Sequence, residues 1–380
     1  MHKSAQSVPV DVGRIVEGIR QWVEIESPSS DIDRVNAVID CIAAGVEGLP
    51  VRTERISGAP RYGDVLALRS RQSAEGGGIL ILSHVDTVHP VGMLSGALRF
   101  RRVGDRLYGP GIYDMKGGAY LAFEAFRTVV QAGTHRLPIV FLFTPDEEIG
   151  SPFSRSLIER EARQARFALV TEPARDGGKV VTSRKGVGRF EAVATGVPAH
   201  SGTRHPDGHS AIAEMARQVL AIEAMTDYSR GITTAVGMIS GGTAANVIAQ
   251  HCRISIDLRV RDETDGRALE AAILGLQSVD RAVELVVTGA MNRPPYRKSA
   301  GTDALFRHAR ALAAALGFTL VEAPMAGGGS DGNFTAALGL PTLDGLGIDG
   351  EGAHTHWEHA LISSIEPRML LLRHLFETLA

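Results

Sequence analysis

At 380 residues the chain is longer than one hydrophobic core usually supports, so two structural units are expected, one of them an insertion. A hydrophobic fraction of 44% with 22% charged residues describes an ordinary folded globular protein and argues against disorder. The net charge of -3, without a local Lys/Arg cluster, leaves no footprint for nucleic acid or anionic lipid, and small molecules or proteins are the expected partners.

Cys41 and Cys252 are the two cysteines, far apart in the chain, which excludes a disulfide framework and a cysteine zinc site and suits a reducing compartment. The N-terminal "MHKSAQSVPVDVG" has no apolar h-region, and no stretch approaches the ~20 apolar residues of a membrane span. A cytoplasmic protein that does not engage a membrane is the expectation.

In chain order, "GGGILILSHVDTV" predicts a turn at Gly76 to Gly78 and a buried strand from Ile79 to Leu82, ending in polar residues. The helical spacing of Leu121/Ala122, Ala125/Phe126 and Val129/Val130 predicts a helix closed by Gly133. "LPIVFLF" and "RFALV" predict two more buried strands. Apolar runs alternating with helices imply a mostly parallel sheet sandwiched by helices.

After about Lys179 the pattern turns to alternating strands, as in "RISIDLRV". The order is a strand from Val180 to Ala194, helix from His209 to Met225, strands from Ile232 to Ile239 and Cys252 to Val260, helix from Arg267 to Leu276, and strand from Val283 to Val287. That βαββαβ order is ferredoxin-like. From Pro295 the buried style returns, with a helix near Ala304 to Leu316, the glycine-rich "AGGGSDGNF", a strand in "LPTLDGLG" and a terminal helix from Pro367. The expected architecture is an α/β catalytic domain, residues 1–179 and 295–380, interrupted by an α+β lid or dimerisation domain at 180–294.

Ligand sites of open parallel sheets lie at the carboxyl ends of the strands. Here those ends carry His84 and Asp86 in "SHVDT", Asp146, Glu147 and Glu148 in "TPDEE", and Glu172 in "TEP", while Asp114 precedes a helix in "YGPGIYDMKGG". Taken singly, each is compatible with a cap or a solvated turn. Gathered in one crevice, so many carboxylates would repel one another unless a cation neutralised them. Imidazole and carboxylate without thiolate suit zinc or a similar divalent ion, cobalt and manganese included. The candidates outnumber the roughly three ligands one catalytic ion needs, so two ions are expected. Glu147 and Glu148 are adjacent and divide the work, one as ligand and the other as base.

The motifs "SHVDTV", "GPGIYDMKGG", "TPDEEIGS", "TEP", "AHSG" and "GGGSDGNF" stand in the order of the zinc-dependent family that includes aminoacylase, acetylornithine deacetylase, succinyl-diaminopimelate desuccinylase and the glutamate carboxypeptidases. The chain resembles this family over nearly its whole length, and the glutamate carboxypeptidase branch most. The resemblance implies that His84, Asp114 and Glu172 hold one ion and Asp114, Glu148 and a C-terminal histidine the other. Asp114 would bridge them, with Glu147 as the general base toward a metal-bridging water and Asp86 fixing the ring of His84. For the last ligand "GAHTHWEHA" offers His354, His356 and His359; His354, four residues before Glu358, is the choice, His356 the fallback and His359 a surface or packing residue.

The same resemblance implies that His200 in "PAHSG" stabilises the oxyanion, often across a subunit interface, and that Asn246 helps bind substrate. Family substrates usually carry a free carboxylate beside the amide. Arg259 and Arg293 are candidate receptors, because guanidinium pairs with carboxylate in a bidentate manner, with Gly327 to Gly329, centred on Gly328, as an anion nest. The expected activity is therefore hydrolysis of an amide in a small peptide or N-acyl amino acid by a homodimer joined through its inserted domain. The alternatives are an aminopeptidase, disfavoured by the insertion bearing "AHSG", and a noncatalytic metal-binding homologue, disfavoured by Glu147.

Overall fold

The run after Gly77 becomes the strand Gly78–His84, buried from Ile79 onward. Parallel partners lie on both sides of it, Ile139–Thr144 and Ala165–Val170, and helices cover it, which is why these segments read as unbroken apolar runs. The computed structural model describes residues 10–70 and 77–380. Gly76 of the expected turn, and residues 1–9 of the N-terminal segment, lie outside the described residues.

Six strands form this sheet, in the order Val51–Ile56, Val65–Ser70, Ile139–Thr144, Gly78–His84, Ala165–Val170, Thr342–Leu343. Three of its strand pairs are parallel and two antiparallel, so the sheet is mostly parallel as expected. The antiparallel pairs belong to Val51–Ile56 and Val65–Ser70, added at one edge. Helix Gly117–Ala132 packs against the terminal helix Ile365–Thr378. Gly133, at φ 66°, ends the former by turning its N–H back to the carbonyls of Val129 and Val130. The N-terminal helix Val12–Glu24 sets Trp22 edge-on to Tyr120, 5.0 Å between ring centres, which anchors that helix in the same core.

A second sheet of very short strands, Gly350–Glu351, His359–Leu361, Arg106–Tyr108 and Arg101–Val103, had no sequence signal, since two or three residues show no alternation. It matters because its antiparallel pair Gly350–Glu351 and His359–Leu361 suspends the loop that carries His354.

The chain divides into two compact units. One comprises the chain as far as Thr182 with Lys298–Pro324 and Ser330–Ala380; the other comprises Ser183–Arg297 with Met325–Gly329. The borders thus stand at 182 and 297 where 179 and 294 were expected, and part of the glycine-rich segment joins the second unit. Backbone pairing explains that: Lys185 donates to the Ala326 carbonyl at 2.8 Å and Ala326 to that of Ser183 at 3.0 Å.

The second unit has strands Gly186–Thr195, Thr233–Gly241, His251–Val260 and Glu284–Arg293, with helices Ala211–Glu223 and Glu263–Leu274, in βαββαβ order. Its antiparallel sheet runs Glu284–Arg293, Gly186–Thr195, His251–Val260, Thr233–Gly241. Cys252, Ile254, Ile256, Leu258 and Val260 alternate onto the buried face. The first strand begins later than Val180, because Val180, Val181 and Arg184 make only isolated bridges. Among the described residues, no helix is long and apolar enough to cross a membrane.

Candidate metal centre

His84 closes its strand and is buried, and its Nε2 lies 3.3 Å from Asp114 Oδ1 and 3.8 Å from Glu172 Oε1. Glu172 stands two residues beyond the strand Ala165–Val170. Asp114 sits in the irregular turn Ile112–Lys116 with non-helical backbone angles, so it does not act as the cap of the following helix. Glu147 and Glu148 open the single turn Glu147–Ile149 just past the strand Ile139–Thr144. His354, in the left-handed region at φ 65°, places Nε2 3.3 Å from both Asp114 Oδ2 and Glu148 Oε2. Ligand atoms of His84, Asp114 and Glu148 lie within 4.8 Å of one another, as do those of His84, Glu147 and Glu172. Both members of the Glu147–Glu148 pair thus face the cluster, each with a different set of neighbours.

Asp86 serves this cluster in a way the sequence did not indicate. His84 Nδ1 lies 2.9 Å from the main-chain oxygen of Asp86 and 3.4 Å from its carboxylate, so the carbonyl is the nearer acceptor. The carboxylate accepts the backbone N–H groups of Glu147 and Glu148, each at 3.2 Å, and the Ser29 hydroxyl at 2.6 Å. One fully buried residue thereby orients the imidazole with its backbone and the acidic turn with its side chain.

The charges are strongly interdependent. Burial alone would lower the pKa of His84, but Asp114 and Asp86 outweigh it and hold the ring well above its ordinary value. Hydrogen bonds to Asp114 and Glu148 push His354 up to about 10. Burial would raise Asp114, yet its bonds to His354 and His84 hold it well below the usual carboxylate range. Glu148 is raised, mainly by burial. Protons on the two imidazoles therefore balance the acids in the metal-free chain, and a divalent cation would do so by displacing them. Nitrogen and carboxylate donors converging without a thiolate fit zinc or a similar ion.

The remaining candidates are placed as follows. His359 is buried against Tyr108, 5.3 Å between ring centres, a packing role; His356 is exposed in the same loop. Within the second unit, the segments bearing His200 and Asn246 are zipped together, Ser201 donating to the Asn246 carbonyl at 2.9 Å and Ile248 to that of Ala199 at 2.8 Å. His200 Nδ1 accepts the N–H groups of Gly202 and Thr203 at 3.1 and 3.2 Å. Its ring proton therefore resides on Nε2. Arg259 makes a two-pronged pair with Asp257 at 2.7 and 2.8 Å, and Arg293 is buried beside Gly329. Arg184, fully buried, donates to the Gly328 carbonyl at 3.1 Å, so that carbonyl points toward a cation. Lys185 is lowered by burial and then by Arg261 and Arg259. Neither Arg184 nor Lys185 was singled out from sequence, although "SRKG" sets the two cations side by side. Glu358 and Asp331, both buried acids, were also missed as parts of the site's support.

Residues 80–378 match peptidase family M20/M25/M40. Carboxypeptidase G2 from Pseudomonas sp. (strain RS-16) is 28% identical over 364 residues, 94% of this chain and 87% of that protein. Succinyl-diaminopimelate desuccinylase from Paracidovorax citrulli is 26% identical over 376 residues, 90% of this chain and 92% of its own. An M20 family metallo-carboxypeptidase from Sulfolobus solfataricus shares the fold with a TM-score of 0.75 at 15% identity, over 96% of this chain and 98% of that one. With a cluster of metal-ligating side chains at the strand ends of that fold, the chain belongs to peptidase family M20/M25/M40 and is a metal-dependent hydrolase of the metallopeptidase and amidohydrolase kind.

Proposed function

We propose that this enzyme hydrolyses the amide bond of a small peptide or N-acyl amino acid bearing a free carboxylate, using two divalent ions, zinc foremost, held by His84, Asp114, Glu148, Glu172 and His354. The observation that carries this reading is Asp114, one oxygen of which lies 3.3 Å from His84 Nε2 and the other 3.3 Å from His354 Nε2. A carboxylate addressed from two sides is what a shared ligand requires. The His84–Glu172 contact at 3.8 Å and the His354–Glu148 contact at 3.3 Å supply the two half-sites around it.

When bound, the ions would polarise the scissile carbonyl and acidify a water enough for attack at neutral pH. Glu147 takes the proton of the attacking water and returns it to the leaving nitrogen, a general acid–base contribution of roughly 10²–10⁴-fold. Asp86 holds the backbone of Glu147 and Glu148, which keeps the base and its neighbour in register. His200 has the role of oxyanion donor, supported by a ring whose Nδ1 is already occupied and whose Nε2–H is left as the donor.

A carboxylate-bearing substrate is supported by the cations of the second unit, Arg259 and Arg293 with Arg184 and Lys185, and by the name of carboxypeptidase G2. A homodimer through the inserted unit is supported by its edge strand Thr233–Gly241. That strand is paired on one side only and exposes Met238 and Ile239, 71% and 60% accessible, where a second copy could add its own strand. Free Cys41 and Cys252 fit a reducing, cytoplasmic setting.

The test is a panel of dipeptides and N-acyl amino acids assayed with zinc, cobalt or manganese, on the wild type and on Glu147→Gln. Hydrolysis that disappears with a chelator, returns with metal and falls by roughly 10²–10⁴-fold in a Glu147→Gln protein still loaded with metal is the expected result. Turnover indifferent to chelation or to this substitution would overturn the reading. Within the panel, preference for aspartyl or glutamyl substrates is expected.

A further inference from the structure

Glu358 is fully buried, and its two carboxylate oxygens accept four hydrogen bonds. Oε1 takes the backbone N–H groups of Tyr113 and Asp114 at 2.8 and 2.9 Å. Oε2 takes that of Gly111 at 3.0 Å and faces His89 Nε2 at 2.6 Å. Three of the four partners are obligatory donors, and the fourth becomes one beside an ionised carboxylate, so His89 carries its proton on Nε2. A carboxylate offers about four lone-pair positions, and here every one is filled.

The geometry points to Glu358 as a positioning residue that locks the turn carrying Asp114 to the loop carrying His354, so that both present their ligand atoms to one ion. This inference rests on the two-ion reading above. Glu358 ends the loop that begins after Gly350–Glu351 and contains His354, while its side chain holds the backbone of 111–114. His354 has a left-handed φ of 65°, a conformation that persists only when the surroundings over-determine it. The clamp joins parts of the chain 244 residues apart, and it acts on ligands of the His354 half of the centre.

Only an acid fits the position. Glutamine has nearly the same size, but its amide nitrogen is a donor. Turned toward Oε1 it opposes the N–H groups of Tyr113 and Asp114; turned toward Oε2 it opposes that of Gly111, even if His89 changes tautomer to accept. At least one backbone donor of the Asp114 turn loses its partner either way.

The experiment is a competition titration of zinc against a chromogenic chelator, with the wild type, Glu358→Gln and His89→Ala in parallel, joined to steady-state kinetics at saturating metal. Outer hydrogen-bond partners of metal ligands typically govern about 10–100-fold in affinity or activity. The expected result is two zinc ions in the wild type and, in Glu358→Gln, a loss of that size for the ion held with His354 and a smaller loss for the other, which shares Asp114. kcat should fall with KM little changed. His89→Ala removes one donor of four and leaves the backbone pairs, so it should shift the same ion in the same direction by less; it decides the matter if Glu358→Gln does not fold. Two ions in the wild type, with both variants binding them equally tightly, would overturn the clamp and leave the two-ion reading standing. A wild type that takes up one ion or none would overturn that reading and the clamp with it.

Discussion

Ser151 donates its hydroxyl to the carboxylate of Asp331, a residue 180 positions further along the chain. The other carboxylate oxygen accepts the hydroxyl of Thr144 at 3.2 Å, and all three residues are buried. Thr144 and Ser151 bracket the turn that carries Glu147 and Glu148. Asp331 therefore closes that turn from behind, as Asp86 holds it by its backbone from within the site.

Asp331→Ala should accordingly loosen the acidic turn without removing any ligand. Ser151 and Thr144 would each lose this acceptor, Thr144 keeping the Ser83 carbonyl at 3.5 Å, at a cost of about 1–3 kcal/mol. The expected outcome is reduced stability to denaturant together with a kcat lower by about 10–100-fold, since a support to Glu148 and Glu147 is lost. Zinc titration and kinetics on the folded variant check it. A variant that is destabilised but turns over at the wild-type rate would show that the clamp serves the fold alone.

The core of the site was legible because its acids follow apolar runs, and a run of buried strand predicts where its carboxyl end lies. His84, Glu147, Glu148 and Glu172 all stand at such ends. The supports were not legible. Glu358 and Asp331 act on backbone and hydroxyls more than a hundred residues away, and no local pattern records such a partner. Asp86 was noticed for its carboxylate, but the shorter bond to His84 comes from its main-chain oxygen, which is indifferent to residue type. The strands of the second unit were legible where one face is wet, as in His251–Val260; the antiparallel edge Val51–Ile56 shows exposure too irregular for that signal.

The choice between His354 and His356 can be settled by stoichiometry. His354, itself half-exposed, reaches Asp114 and Glu148, and His356 lies two residues further along the same exposed loop. His354→Ala should leave one zinc tightly bound and reduce kcat at least 100-fold, on the order of the loss of a polarising ion. His356→Ala should retain both ions and most activity. Elemental analysis after dialysis reads the first outcome directly, and a reversed pattern between the two variants would move the ligand two residues down the loop.

Metal uptake should depend steeply on pH, in a direction fixed by the imidazoles. In the metal-free chain His354 keeps its proton to about pH 10, chiefly through its hydrogen bonds to Asp114 and Glu148, and His84 is held above its ordinary value as well. A ligating imidazole must be neutral, so each ion has to expel a proton, and apparent affinity rises about tenfold per pH unit for every proton displaced. Below pH 10 the affinity should therefore climb with pH. For the metal-free fold the same raised pKa works the other way: protonated His354 contributes stability fully below about 6.5, the ordinary imidazole value, and that contribution is lost as pH rises through about 10. Zinc should accordingly raise the melting temperature by a margin that widens as the buffer is taken from pH 6 to pH 8. Calorimetric titration in buffers of different ionisation enthalpy counts the protons released, and a count of zero with pH-independent affinity would mean that the ions bind away from these histidines.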